Sequence, residues 1–460
     1  MDQVVGGSFW SQAPGATGKA PVAPYDFGRE RLMNLTRALS PAYLRISGTA
    51  ADETYFDLQG LAASHAPSGY SRVLTSTEWD AANQFARRLG LEIFLGINAG
   101  PGPRNADGSW NPDNAAQLLE YTARLRYPLG ALEFGNEPNL ISEVPGMSAG
   151  YSAADYARDL ARFRELQMTL VPQAVVVGPG SFYDSGGAEY FGVPLGPLAS
   201  QILALGANDY GALSWHAYAA RSTRCATGAG EPVPPEPLDP SFLDGILNSY
   251  ENLRRLRDAY APGRPLWYGE GATAYCGGQQ GYSDRWEATF WYLNALGALA
   301  RRDVKVFVRQ TLSGSDYGLI TDSTMQPNPD YWAAVMWRRL MGVRMLRPST
   351  LGLPGRVRVF ASCSPRGGGT TLLALNLDPH SAHGFTLRGG PRRREIYLAT
   401  STSLTGTRVL LNGRVLESNT QGQVGRLRSR VTSSRFIALP AASYAFIVSR
   451  GSSPPACRGR

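Results

Sequence analysis

Lysine is almost missing from this 460-residue chain: of its 45 basic residues only Lys19 and Lys305 are lysine, and the rest are arginine. The net charge of +8 is unevenly spread, because residues 351–460 hold 16 arginines against Asp378, Glu395 and Glu417 and so carry +13, leaving −5 on the first 350. Two explanations of the arginine excess stand side by side, a compositional bias of the genome and a surface for acidic polymers. Arg392-Arg393-Arg394 and the alternation Arg426, Arg428, Arg430 would serve equally as solvated faces. No nucleic-acid partner is expected.

Histidine and cysteine are scarce as well. The four histidines, His65, His216, His380 and His383, include no H-E-x-x-H, so metal catalysis is not indicated and no cofactor is expected. The four cysteines, Cys225, Cys276, Cys363 and Cys457, have no C-x-x-C spacing, which argues against a zinc site or redox pair. An even number at long separations suits two disulfides in an oxidising compartment, with four buried thiols as the alternative. No apolar run reaches the length of about 18 residues that a spanning helix needs. Met1-Asp2 opens without an apolar leader; the expectation is a secreted or periplasmic protein, monomeric, whose signal peptide has been removed.

What the chain does have is a regular alternation. Apolar runs with the look of fully buried strands fall at Val4–Phe9, Tyr43–Ser47, Glu92–Asn98, Ala131–Phe134, Ala174–Gly178, Ala212–His216, Pro265–Tyr268 and Val304–Arg309. Helical stretches separate them: Arg29–Leu39, Ser76–Leu89, Asn114–Leu125, Ala153–Leu170, Pro197–Leu205, Pro240–Tyr260, Asp284–Arg301 and Pro329–Met341. Ser152 and Asp239-Pro240 read as helix starts. Eight such units predict an α/β fold, a (β/α)8 TIM barrel over residues 1–345. From 346 to 460 the pattern changes to short strands broken by Gly, Ser, Asn and Pro, such as RVRVFAS, TLLALNL, EIYLAT and SYAFIVS. These predict a smaller all-β sandwich, with which the first few residues of the chain could also pair.

Barrel chemistry sits at the carboxyl ends of the strands. The fourth run ends LEFGNEPN and the seventh PLWYGEG, which puts Glu137 and Glu270 at two strand ends, each beside glycine and aromatic residues. Each could simply be paired with an arginine such as Arg45 or Arg309. Two carboxyls facing across a barrel mouth are, however, what glycoside hydrolysis requires, one as acid and one as nucleophile or base.

On SPAYLRISGT, EIFLGINA, NAAQLLEY, LEFGNEPN, LSWHAY, WYGEGATAYCGG, PDYW and LPAASYAFIV, in this order from about residue 40 to the end, the chain resembles the heparanases and β-glucuronidases of glycoside hydrolase family 79. The resemblance implies a bacterial enzyme of that kind, with Glu137 as acid/base and Glu270 as nucleophile of a retaining reaction. It implies substrate contacts for Asn136 at the sugar 2-hydroxyl, for Asp52 at another hydroxyl, and for His216 and Tyr218 around the nucleophile. Tyr317 and the backbone amides of Cys276 and Gly277 would hold the uronate carboxylate, with Tyr275 as a further substrate contact. The resemblance implies a Cys363–Cys457 disulfide; Cys276, where the family has glycine, is a departure from it, and suggests a second disulfide to Cys225, since adjacent barrel loops can approach closely. The expected substrate is a glucuronic-acid-containing polysaccharide or oligosaccharide of heparan-sulfate type. Little sulfate is expected on it, because GPGSFYDSGGAEYFGVP has no basic residue. Endo action is favoured over exo release of terminal glucuronate, with DETYFDLQGLAASHAPSGYSRV as the stretch that decides. A binding protein for acidic glycans without catalysis is the alternative from another class.

Overall fold

Strands that are apolar throughout must be covered on both faces, and this chain covers them by alternating strand with helix. The computed structural model describes residues 26–60, 66–189, 196–225, 230–349, 352–365, 367–451 and 454–458, with Glu143 by its backbone only. Seven strands, β1 (Tyr43–Ile46), β2 (Glu92–Ile97), β3 (Leu129–Phe134), β4 (Val175–Tyr183), β5 (Ala212–Ala217), β6 (Leu266–Gly271) and β7 (Val306–Arg309), pair in chain order and all in parallel. They are the second to eighth of the expected runs. The first, Val4–Phe9, lies outside the described residues, together with any pairing it makes with the second sheet. Helices α1 (Glu30–Arg37), α2 (Ser76–Leu89), α3 (Asp113–Arg124), α4 (Ala153–Leu170), α5 (Ala199–Gly206), α6 (Ile246–Tyr260), α7 (Ala288–Ala300) and α8 (Pro329–Leu340) alternate with them in a nearly closed α/β barrel.

Local chemistry explains where the helices begin. Thr75 Oγ1 accepts from the Glu78 amide at 3.3 Å while Glu78 Oε2 accepts from the Thr75 amide at 2.8 Å, and Ser152 with Asp155 repeats the exchange at 3.2 and 3.0 Å. Two expected helices are corrected. Pro240–Tyr260 divides into a short helix, Pro240–Asp244, and α6, because the Gly245 amide donates to Phe242 O, three residues back, at 3.2 Å. The helix expected from Asp284 starts at Ala288, since the Trp286 and Glu287 amides donate instead to Gly406 O (2.9 Å) and Leu404 O (3.0 Å).

Inside the barrel, period-two alternation stacks a polar layer on an apolar one. Tyr43, Phe94, Ala131, Val177, Ala212, Trp267 and Val308, one from each strand, pack as a single cluster. The Trp267 ring lies 5.1 Å from that of Tyr43 and 5.8 Å from that of Phe94. Two residues further along their strands stand Arg45, Glu133 and Ser214, followed by His216, all fully buried. The polar layer therefore faces the carboxyl end, where the site is.

β8 (Val357–Cys363), β9 (Gly369–Asn376), β10 (Arg394–Thr400) and β11 (Ser443–Arg450) form the centre of an eight-stranded antiparallel sheet. Its inner face, with Phe360, Leu373, Leu375, Tyr444 and Phe446, belongs to the same core as the barrel helices. Trp286 stacks on Tyr444 at 4.9 Å and donates Nε1–H to Ala442 O at 2.9 Å. The outer face, with Val357, Val359, Ile396, Ala445 and Ile447, is covered by Ile437 and Leu439 of the two-stranded sheet His383–Thr386/Phe436–Leu439. This is the expected all-β sandwich, docked on the barrel. The Cys363–Cys457 disulfide, with Cα atoms 5.6 Å apart, ties β8 to the C-terminal turn. Among the described residues no helix is long and apolar enough to cross a membrane.

Candidate active site

Glu137 stands two residues beyond the Gly135 turn that ends β3, and its own backbone is left-handed, with φ 48° and ψ 62°. A side chain in that region costs of order 1 kcal/mol and is found where the surrounding structure dictates the conformation. Here Asp52 does so from the loop after β1. It is fully buried, and its two carboxylate oxygens accept from the amides of Ala99 and Asn136, each at 2.8 Å. Asp52 therefore clamps the ends of β2 and β3 together. Burial, only partly offset by those two amides, pushes its pKa up to about 7.

Glu270 reaches the same space from β6. A register shift between Trp215 and His216 brings His216 opposite Glu270. A carboxylate oxygen of Glu137, a ring nitrogen of His216 and a carboxylate oxygen of Glu270 all lie within 4.8 Å of one another. Glu270 Oε1 accepts from the Tyr218 hydroxyl at 2.6 Å and Oε2 from Arg45 Nη1 at 2.6 Å. His216 Nδ1 stands 3.0 Å from Glu137 Oε1 and 3.9 Å from Glu270 Oε2. Asn136, almost fully buried, accepts from Arg45 Nη2 at 3.0 Å.

These neighbours set the two carboxyls apart. Burial raises both. At Glu270 the charges of His216 and Arg45 and the Tyr218 hydroxyl outweigh burial and hold the group below the ordinary carboxylate value. At Glu137 burial, aided by the charge of Glu270, prevails over the His216 contact, and the group is raised. His216 is itself disfavoured as a cation by burial, but Glu270, Glu133 and Glu137 together push it up to about 10. A carboxylate beside a carboxylic acid is the division of labour that acid–base and nucleophilic chemistry needs.

The remaining expected residues gather on one wall. Phe182, Tyr218, Ala272 and Tyr317 pack together with Tyr275 against them. The Tyr275 ring is 5.4 Å from Phe182 and 6.1 Å from Tyr218. Cys276, with φ 59°, begins a left-handed run through Gly277 and Gly278. A Cβ on Gly278 would stand 2.7 Å from the Tyr317 amide, so this glycine allows the loop after β6 to lie against Tyr317. The Asp316 amide donates to Gly277 O at 2.8 Å. Cys225–Cys276, with Cα atoms 5.7 Å apart, fixes the same loop, as expected.

Sequence reasoning missed three residues here. Arg45 entered only as a residue that could pair a glutamate away; it does pair with Glu270, and Arg309 pairs with Asp330. Glu133 was passed over within LEFGNEPN. Arg224 is ion-paired with Asp316, the residue before Tyr317 in the chain. A charge inside an otherwise apolar strand run, as in YLRI and LEF, is the signal that marks the first two. Of the stretch expected to decide endo against exo action, Thr54–Asp57 and Arg72–Thr75 form a parallel pair, and residues 61–65 lie outside the described residues.

The family model for the glycosyl hydrolase family 79 N-terminal domain matches residues 14–297, more than half of the chain. The chain belongs to glycosyl hydrolase family 79. This family 79 chain is 28% identical over 486 residues to heparanase-like protein 3 of Arabidopsis thaliana, covering 95% of this chain and 87% of the relative. It is 28% identical over 452 residues to baicalin-beta-D-glucuronidase of Scutellaria baicalensis, covering 89% and 80%. Both relatives are from plants, so the bacterial part of the expectation gains nothing from them. Among solved structures, a 4-O-alpha-L-rhamnosyl-beta-D-glucuronidase from Fusarium oxysporum superposes with a TM-score of 0.64 at 16% identity, over 91% of this chain and 90% of that one. At that identity the likeness is one of fold.

Proposed function

We propose that this family 79 glycosidase is a retaining β-glucuronidase of heparanase type, cutting glucuronic acid linkages within heparan-sulfate-type polysaccharide by double displacement. The observation that carries the reading is the opposed setting of Glu270 and Glu137 with oxygens within 4.8 Å. Retaining enzymes hold their two carboxyl groups about 5–5.5 Å apart, too close for a water between acid and base. Glu270, ionised, attacks the anomeric carbon, and Glu137 gives its proton to the departing glycosidic oxygen. Glu137, now an anion, takes a proton from water, which attacks the anomeric carbon and frees Glu270. Asn136 binds the 2-hydroxyl, and Tyr317, Tyr275 and the amides of Cys276 and Gly277 bind the uronate. The heparanase-like relative, aligned over nearly the whole chain, supports the polymer as substrate.

The barrel over 1–345 is the catalytic domain and 346–460 the accessory one in this reading, acting as a monomer. Two disulfides suit a secreted or periplasmic setting. The baicalin glucuronidase relative favours a second reading, exo release of a terminal glucuronate. Loss of catalysis with retained glycan binding is disfavoured, because Glu137, Asn136 and Glu270 are all present and converge.

The test is hydrolysis of an aryl β-glucuronide beside an unsulfated or lightly sulfated heparan-type polysaccharide, with wild type and Glu270→Gln and products sized by chromatography. Shortened chains from wild type alone support the endo reading, and free glucuronate without shortening supports the exo one. No product from either substrate, or faster turnover of neutral aryl glycosides, contradicts the uronate assignment.

A further inference from the structure

Glu133 is a third carboxylate beneath the two catalytic ones, fully buried on β3. Its Oε2 accepts from Arg45 Nε (3.1 Å), Arg45 Nη2 (2.6 Å) and Ser47 Oγ (3.1 Å), and its Oε1 faces His216 Nε2 at 3.6 Å. Each of these two cations reaches onward to one catalytic carboxyl: Arg45 Nη1 to Glu270 at 2.6 Å and His216 Nδ1 to Glu137 at 3.0 Å. The fork depends on Gly180, whose backbone has φ 67°. A Cβ there would stand 2.5 Å from Glu133 Oε1 and 3.3 Å from His216 Nε2. A lone buried carboxylate is strongly disfavoured, and this one is balanced by the two cations that it holds in place.

We propose that Glu133 is a positioning residue that keeps His216 doubly protonated and Arg45 aimed at Glu270, and thereby sets the pH range over which Glu270 is an anion beside a protonated Glu137. The link to turnover rests on the function proposed above; the charge on His216 does not.

The direction of the effect follows from the groups around the fork. His216 faces Glu133, Glu137 and Glu270 as anions and Arg45 as a cation. Glu133 is also felt by Asp52 and by the neutral hydroxyls of Tyr156 and Tyr210. Removing the Glu133 charge leaves His216 with less reason to hold its second proton and leaves Arg45 without its strongest tether. Both changes weaken the positive field at Glu270 and raise its pKa. Losing a like charge acts the other way, but less strongly, since Arg45 and His216 stand next to Glu270 itself.

The test compares wild type with Glu133→Gln. Only four histidines need resolving by nitrogen-15 NMR, and His216→Asn identifies the signal of His216. We expect wild-type His216 to stay cationic above about pH 8 and its midpoint to fall by about one unit or more in Glu133→Gln. The acid limb of kcat/KM for an aryl β-glucuronide should move to higher pH in the same variant. An unmoved midpoint and limb in a folded Glu133→Gln overturn the proposal. So does a His216 already neutral below about pH 8 in wild type, a measurement that needs no variant to fold. The NMR arm reads no turnover, so a protein inactive on glucuronides would sink the proposed function and leave the charge assignment standing.

Discussion

The Tyr218 hydroxyl donates to Glu270 Oε1 at 2.6 Å from the residue that follows β5, so the Glu270 carboxylate is held on one oxygen by a neutral donor and on the other by Arg45. Tyr218→Phe removes one hydrogen bond to a charged group and leaves the ring packing in place. Such a bond contributes about 1.5–3 kcal/mol. The variant should lose roughly 10- to 100-fold in kcat/KM, with the acid limb of the pH profile shifted upward because Glu270 is less stabilised as an anion. Steady-state kinetics on an aryl β-glucuronide across pH checks both.

Glu137 should reveal its role through the leaving group. Glu137→Gln removes the proposed proton donor, an effect of about 10²- to 10⁴-fold in general acid catalysis. The loss of the first step should be large for a poor leaving group such as an alkyl alcohol and small for a nitrophenol, which departs unaided. Equal losses for both would mean that Glu137 does not protonate the leaving oxygen. In wild type, the raised Glu137 and lowered Glu270 predict a bell-shaped kcat/KM, active between the two values.

Asp52 links the site to stability. Its folded pKa of about 7 exceeds the ordinary 3.8, so the folded state holds the proton more tightly than the unfolded one. The sign follows: this residue's contribution is most favourable below the unfolded value and is lost as pH rises through the folded one. Asp52→Asn should flatten that part of the stability profile. It also points an amide donor at the Ala99 or Asn136 amide, lowering the unfolding free energy by about 1–3 kcal/mol. Denaturant titrations between about pH 4 and 8 test both expectations.

The fold was largely legible because its elements obey simple periods. ALSWHA is buried end to end and EIFLGI from its second residue on, and α2 and α4 begin at visible capping residues. The site was legible at Glu137 and Glu270 because each breaks an apolar run at its end. Arg45 and Glu133 were harder, since their roles depend on which residues of different strands share one layer of the barrel, and β1 and β3 are separated by more than eighty residues of chain. Asp52 was legible only as a sugar contact, through the resemblance, because nothing local reveals that it accepts amides from two other strand ends. The early break at Gly245 and the late start of α7 were hidden for a related reason: tertiary acceptors and an i−3 bond overrode helical periodicity.

The two disulfides should separate by function. Replacing Cys363 and Cys457 with serine frees the C-terminal turn from β8, opening a link across a separation of 94 residues. It should lower stability by about 2–5 kcal/mol with KM unchanged. Replacing Cys225 and Cys276 frees the loop that carries Gly278 against Tyr317. That variant should raise KM for glucuronides several-fold while leaving KM for a matched glucoside nearly unaltered, as paired steady-state assays would reveal.

The most direct measurement is covalent trapping. Incubation with a 2-deoxy-2-fluoro-β-glucuronyl fluoride slows the second displacement more than the first, so a retaining enzyme accumulates its glycosyl ester. Peptide mass spectrometry is expected to find the fluoroglucuronyl group on Glu270, with no label on the Glu270→Gln protein. A label on another residue, or turnover of the reagent with inverted product and no ester, would contradict the account.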